Sequence, residues 1–272
     1  MLSNIGRRYV VNVGLNIDWD FFFEQDETRF WNHGDNPFSH GSMLWSLRFA
    51  DAYAMGEDLE KTYTADARWE TLWSDLGQFG FNLDNAEVIY GDSNLGAWFV
   101  FGQYDVSHIY SFDNHNDVCY LSESGERVDC GNWLGQTLRV QEGVDATVVY
   151  PDRERLELEF GFTEPIAQSW VKTGRLQAVT YDDLFDFKLK KDVAVIFICR
   201  SGSWTPPWDD AKFMTLVEQR DNPVYLKDVF GDETPDTANP ETLRDWNRNG
   251  VMRNAENGFL YRRAGREWLR IS

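Results

Sequence analysis

Short apolar runs rich in Val, Ile, Phe and Tyr recur along this chain, and stretches long enough for a helix separate most of them. Such runs are typical of buried strands, and helical connections between them favour a parallel sheet covered on both faces. The predicted fold is therefore α/β, with three layers and a mostly parallel central sheet. Strands are expected at residues 9–15, 86–90, 108–112, 145–150, 177–181 and 192–199, and helices at 43–54, 65–76 and 209–219.

Two of the predicted strands end in acidic runs. Asp18 and Asp20 follow the first strand, and Asp113, His115 and Asp117 follow the strand at 108–112. The carboxyl ends of parallel strands converge on one crevice, and alternate residues of an extended segment point the same way. Four carboxylates and an imidazole in one crevice would repel one another unless cations lay between them. The runs therefore predict a site for two divalent ions, and so many oxygen ligands favour Mn²⁺ or Mg²⁺ over structural zinc.

Composition limits the class of protein. The chain has 272 residues, of which 42% are hydrophobic and 15% aromatic, which excludes general disorder. The sequence contains neither an apolar run of membrane-spanning length nor a signal-peptide core, and three cysteines are too few for a disulfide framework. A cytoplasmic protein is expected, with one hydrolase domain at 1–230. A linker and an Arg-rich segment at 231–272 are expected to dock on that domain.

The charge is strongly acidic, at −19, which argues against a nucleic-acid partner and favours a cationic small molecule or peptide. Its distribution is uneven, because the chain from Arg244 onward carries seven Arg and only three acidic residues. A solvated acidic surface is the alternative explanation, and the sequence leaves a homo-oligomer open.

The acidic runs also resemble those of a known superfamily. Asp113-x-His115-x-Asp117 after a strand, together with Asp18-x-Asp20, resembles the arginase/agmatinase and deacetylase superfamily, in which such runs hold two manganese ions or a single zinc. The run from Gly131 to Gln136 is similar to the GNLHGQ run of arginases. The closest resemblance is to an outlying branch that includes peptide arginases, which convert arginine within a peptide to ornithine.

The resemblance implies roles for these residues. Asp113 and Asp18 would bridge two Mn²⁺ ions, Asp117 would complete one of them, and His115 with Asp20 would complete the other. Asp20 or Asp92 would pass a proton to the leaving amine. Substrate-binding candidates are Glu24, Asn132, Arg200 and Ser201, the last two at the end of the strand at 192–199.

This chain also departs from the superfamily pattern. The Asp18-x-Asp20 run precedes the His-containing run, whereas in arginases it follows. The superfamily's metal-binding His has no counterpart at Ser93, so that either Asp92 or Asn94 replaces it or that ligand is absent. The superfamily's proton-carrying His is replaced by Leu134. The expected function is a manganese-dependent hydrolase of the arginine guanidino group. A metal-dependent amidase or deacetylase and an inactive binding protein of the same fold are the alternatives.

Overall fold

The central sheet of this computed structural model contains eight strands, and every pairing within it is parallel. The structure describes residues 12–25, 40–119 and 128–226 and three short strands between 251 and 270. The strands of the central sheet are β1 (Asn12–Asp18), β2 (Phe81–Asn82), β3 (Glu87–Gly91), β4 (His108–Phe112), β5 (Asp145–Tyr150), β6 (Leu176–Thr180), β7 (Lys191–Cys199) and β8 (Val224–Tyr225).

The helices follow the strands in the order expected of a parallel α/β fold. They are α1 (His40–Ala54), α2 (Leu59–Thr62), α3 (Arg68–Phe79), α4 (Leu95–Phe101), α5 (Trp133–Val140), α6 (Arg153–Glu159), α7 (Pro165–Thr173), α8 (Leu184–Phe187) and α9 (Asp210–Glu218). Two 3₁₀ helices, Trp19–Phe22 and Pro207–Asp209, follow β1 and β7. None of the helices in the described part of the chain is both long and apolar enough to cross a bilayer.

The sheet separates two hydrophobic cores, which gives the predicted three-layer α/β architecture. Val149 of β5 belongs to the core that also contains Leu72 of α3 and Leu216 of α9. Its neighbour Val148 belongs to the other core, with Leu138 of α5. Side chains of a strand alternate between its faces, so the two cores lie on opposite sides of the sheet.

Strand order places β1 at the centre of the sheet. The order is β6-β5-β4-β1-β7-β3-β8, with β2 beside the first residues of β7. Gly14 of β1 lies against the ring of Phe101 in α4, where an added Cβ would come within 2.4 Å of a ring carbon. This close approach packs the end of α4 directly on β1, while Asn94, just before α4, lies beside Asp18 and Asp113 at the carboxyl ends of β1 and β4, the usual position of a site in a parallel sheet.

The predicted strands are all present, those at 108–112 and 145–150 with the predicted bounds and the others with shifted ends. The first strand is described over Asn12–Asp18 and continues past the predicted end at residue 15, and residues 9–11 lie outside the described part of the chain. The helix predicted at 65–76 covers Arg68–Phe79 and ends at Gly80, whose φ of 97° is left-handed. The helix predicted at 209–219 begins with a 3₁₀ turn.

The Arg-rich C-terminal segment contributes three short antiparallel strands, which form a sheet of their own. They are β9 (Val251–Arg253), β10 (Leu260–Ala264) and β11 (Glu267–Arg270), in the order β11-β10-β9. The predicted linker at 231–242 lies outside the described residues, and the docking of this segment stays a prediction. Cys119, Cys130 and Cys199 form no disulfide.

Candidate metal centre

Asp18 and Asp20 lie where β1 turns into a 3₁₀ helix. Asp18 is the last residue of the strand, and its Oδ1 accepts a hydrogen bond of 3.1 Å from the backbone N–H of Asp20. This bond caps the 3₁₀ helix that contains Asp20, so the segment is not extended and the alternation used in the sequence argument is wrong here. Both carboxylates nevertheless lie buried at the same end of the sheet, each with its own neighbours.

Asp113, His115 and Asp117 lie in a bent segment after β4. The backbone N–H of Asp113 extends the strand by donating to the carbonyl of Val149 at 3.1 Å. Asp113 Oδ1 then accepts a hydrogen bond of 2.8 Å from the backbone N–H of His115, and Asp117 has a left-handed φ of 48°. The extended geometry predicted for this run is therefore wrong as well, because side-chain-to-backbone bonds compete with extension in Asp-rich segments.

One cluster joins Asp20, Asp113 and His115. His115 Nδ1 lies 3.0 Å from Asp20 Oδ2 and 3.6 Å from Asp113 Oδ1. One candidate ligand atom from each of the three residues can be chosen so that all lie within 4.8 Å of one another. Burial and the charge of Asp20 raise the pKa of Asp113 to about 6. Burial opposes the charged form of His115, but the charges of Asp20 and Asp113 and their hydrogen bonds raise its pKa well above the usual value.

A second cluster surrounds the side-chain amide of Asn94, the residue before α4. The Asn94 Nδ2 atom lies 2.5 Å from Asp18 Oδ2, 3.0 Å from Asp113 Oδ2 and 2.9 Å from Asp117 Oδ2. The indole Nε1 of Trp133 donates a further hydrogen bond of 2.7 Å to Asp117 Oδ2. Burial, followed by the charge of Asp113, raises the pKa of Asp117 well above its usual value.

Asp113 belongs to both clusters. Its Oδ1 faces His115 and its Oδ2 faces Asn94, which is the arrangement required of a carboxylate shared by two ions. The oxygens of Asp18 and Asp113 approach the same nitrogen. The carboxylates of Asp18 and Asp113 therefore lie less than about 7 Å apart. At a greater separation one ion could not bind both, because metal–oxygen bonds are about 2.0–2.6 Å long.

The donors fit divalent ions of the manganese and magnesium type. Four carboxylates are at most 5% exposed, and a protonated His115 would offset only one of their charges. Oxygen donors with one imidazole are the ligands that such hard cations prefer. Asp20, Asp113 and His115 would hold one ion. Oxygens of Asp18, Asp113 and Asp117 surround the Asn94 amide instead, and a second ion among them stays a prediction.

Two other predicted catalytic or binding residues are engaged elsewhere. Asp92 Oδ2 accepts a hydrogen bond of 2.6 Å from the Tyr225 hydroxyl. Arg200 was a candidate to bind a substrate carboxylate or carbonyl or to brace its loop, and its Nε and Nη2 each donate at 2.9 Å to the carboxylate of Asp210. This bidentate pair occupies one edge of the guanidinium, which is consistent with the bracing role, and a substrate-binding role stays a prediction.

The remaining predicted residues lie on three different loops. Glu24 is exposed just beyond the 3₁₀ helix. Asn132 Oδ1 accepts a hydrogen bond of 2.9 Å from the N–H of Asp129, which stabilises the turn before α5. Ser201 is buried with a left-handed φ of 54°, and its carbonyl accepts the N–H of Trp204 at 2.8 Å. Their substrate-binding roles stay predictions.

Two aromatic residues contact the site in ways that sequence reasoning missed. Trp133 is fully buried, and its indole N–H also donates to Asp117. The Trp204 ring lies 4.7 Å from the ring of His115. The Tyr63 hydroxyl donates a hydrogen bond of 2.8 Å to the backbone carbonyl of Trp204. Neither contact has a local signal, since Trp204 and His115 are 89 positions apart along the chain.

Comparisons of this chain with protein-family models, with curated proteins and with solved structures found no match.

Proposed function

We propose that this protein is a metal-dependent hydrolase that cleaves a C–N bond of a guanidino group. The observation that carries the proposal is the position of Asp113, whose two oxygens face two separate groups of candidate ligands. The resemblance of the acidic runs to those of arginases supports the choice of reaction. Arginine, free or within a peptide, is the proposed substrate, with Mn²⁺ as the metal and the cytoplasm as the location.

Two divalent ions at such a site would acidify water near neutral pH and stabilise the charge that develops during attack on a planar carbon. The residues of this chain have to hold the substrate and supply a proton to the leaving amine. Leu134, at the position of the superfamily's proton carrier, is fully buried in an apolar core and cannot supply one. Asp20 is the better of the two predicted carriers, because Asp92 is bonded to Tyr225.

The surroundings of His115 suit a cationic substrate. The His115 side chain is 12% exposed, whereas those of Asp20 and Asp113 are fully buried, so the site opens to solvent beside the imidazole. Trp204 lies next to that opening, and an aromatic face attracts a guanidinium. The excess of carboxylates offsets the repulsion between a cationic substrate and two cations.

Mass spectrometry of arginine-containing peptides incubated with the protein and Mn²⁺ tests the proposal. Conversion of arginine to ornithine removes about 42 Da per residue, and urea should appear in equal amount. Asp113→Asn keeps the shape of the side chain but removes its charge, and should abolish conversion. Asp84→Asn, the same change at an exposed position, is the matched control.

An acetyl-lysine peptide in the same assay distinguishes the alternatives. Loss of the acetyl group with no change at arginine would overturn the proposal in favour of a deacetylase. Metal binding with no conversion of free arginine, of arginine in peptides or of acetyl-lysine would instead favour a binding protein of the same fold.

A further inference from the structure

Asn94 occupies the centre of the second cluster because the surrounding backbone holds it there. It follows β3 and directly precedes α4, and its carbonyl accepts the N–H of Ala97 at 3.0 Å. Two residues along, Gly96 lies so close to Phe197 of β7 that a Cβ would come within 2.5 Å of the ring. The start of α4 therefore packs closely against the sheet, and Asn94 is only 2% exposed.

The Asn94 amide cannot satisfy all of its neighbours. An NH₂ group has two hydrogens, whereas oxygens of three carboxylates, from Asp18, Asp113 and Asp117, lie within 3.0 Å of its nitrogen. At least one carboxylate must share a hydrogen, and the negative charge of the group exceeds what a neutral amide can offset. A divalent cation would offset it far better.

The three carboxylates are held in place without Asn94. Asp18 accepts the N–H of Asp20, Asp113 accepts the N–H of His115, and Asp117 accepts the indole N–H of Trp133. These donors come from three different parts of the chain. The Asn94 amide can therefore turn about its Cβ–Cγ bond while the carboxylates keep their positions.

An independent observation points to a ligand at the same place. Tyr150, the last residue of β5, is fully buried, and its hydroxyl has no hydrogen-bond partner among the residues that the structure describes. After burial and the charge of Glu159, the charges of Asp113 and Asp117 contribute to the raised pKa of this phenol. This buried phenol interacts electrostatically with two of the carboxylates and lacks a partner of the kind that water on an ion would supply.

We propose that Asn94 is an exchangeable ligand, whose NH₂ group holds Asp18, Asp113 and Asp117 together without an ion and whose Oδ1 binds the ion when one enters. The two ends of a side-chain amide have the same shape, so a half-turn exchanges donor for acceptor within the same space. The proposal rests on the metal site of the proposed function but not on its reaction. In place of the superfamily's missing His, the amide oxygen of Asn94 would bind the ion, and Mn²⁺ and Mg²⁺ accept such a ligand.

The exchange has a consequence for affinity. An ion entering this cluster has to displace hydrogen bonds between the amide and three carboxylates, whereas an ion at Asp20, Asp113 and His115 has to displace the contacts of one imidazole nitrogen with two. The two ions should therefore bind in sequence, the ion beside His115 first and the ion beside Asn94 more weakly.

Isothermal titration with Mn²⁺ alone, after removal of metal by a chelator, tests the exchange. The unmodified chain should show two binding steps, and Asn94→Ala should lose the weaker step and keep the other. Asn94→Asp adds a charged oxygen ligand, and should tighten the weaker step at least about tenfold while making the chelated protein less stable to urea. Asn82→Asp, which also replaces an amide bonded to a carboxylate, that of Asp192, is the matched control and should change neither step.

A purely structural Asn94 gives a different result. Asn94→Asp would then destabilise the protein without tightening Mn²⁺ binding, and this outcome, or two unchanged steps in Asn94→Ala, would overturn the inference while leaving the proposed function intact. Absence of Mn²⁺ binding by the unmodified chain would overturn both. If Asn94→Ala does not fold, the ¹⁵N side-chain resonance of Asn94 in the unmodified protein provides the same test, because titration with diamagnetic Mg²⁺ should shift it.

Discussion

The hydrogen bond from Trp133 to Asp117 offers a quantitative test of how the second cluster is supported. The donor and the acceptor are buried, at 0% and 5% exposure, and are 2.7 Å apart. Trp133→Phe keeps an aromatic ring against Phe101, with which the indole stacks at 5.7 Å, but removes the N–H. A hydrogen bond to a charged or partly charged group contributes about 1.5–3 kcal/mol to stability.

The same substitution also removes side-chain volume, and a matched variant measures that part. Trp170 of α7 lies in the same core and is 6% exposed, so Trp170→Phe loses a similar volume away from the carboxylates. In urea unfolding with a chelator present, the free energy of unfolding of Trp133→Phe should fall below that of Trp170→Phe by about 1.5–3 kcal/mol.

Metal binding provides the second readout of this pair. Loss of a group that orients a ligand typically lowers metal affinity about 10–100-fold, so Trp133→Phe should bind Mn²⁺ that much more weakly in calorimetry. Trp170→Phe should bind it as the unmodified chain does. Equal affinities and equal stabilities in the two variants would show that the indole N–H does not support Asp117.

Two further predictions concern stability. Burial and the charge of Lys191 lower the pKa of His108 from 6.5 to about 4, so the folded state favours the neutral ring. The contribution of His108 to the free energy of unfolding is therefore complete above about pH 6.5 and is lost as the pH falls towards 4. His108→Gln should remove up to about 3 kcal/mol of this pH dependence in urea unfolding between pH 4 and 7.5, and unchanged curves would contradict the assignment. An added Cβ at Gly135 would come within 2.0 Å of the Val118 carbonyl. Gly135→Ala should therefore lower the free energy of unfolding by about 1–3 kcal/mol or more. Gly143→Ala, with nothing within 4 Å of the added carbon, should cost less than about 1 kcal/mol, and equal thermal midpoints would contradict the packing argument.

Apolar runs made the fold predictable, and polar residues inside strands shifted the predicted ends. β1 extends to Asp18, and inside the sheet the amide nitrogen of Asn16 donates at 3.0 Å to the Ser111 hydroxyl on β4. From the sequence alone the strand was expected to end at residue 15, before Asn16. The pairing depends on a residue 95 positions away, which no local pattern indicates.

The acidic runs identified the carboxylates of the candidate site but not their conformation or their supporting residues. Asp20 and Asp117 leave the extended conformation because turns formed by hydrogen bonds and tertiary contacts compete with it. Asn94 was one of two candidates to replace a missing His, and tertiary contacts distinguish them: the Asn94 amide contacts the site carboxylates, whereas Asp92 is bonded to Tyr225. The role of Trp133 depends on tertiary contact in the same way.

The metal content of the purified protein tests the central claim most directly. After dialysis against Mn²⁺ and removal of loosely bound ions, elemental analysis should give about two Mn per chain, because candidate ligands form two groups that share Asp113. Asp113→Ala should lose both ions, whereas the exposed Asp84→Ala should keep both. No stoichiometric metal in the unmodified chain, or full metal content in Asp113→Ala, would contradict the assignment of this site.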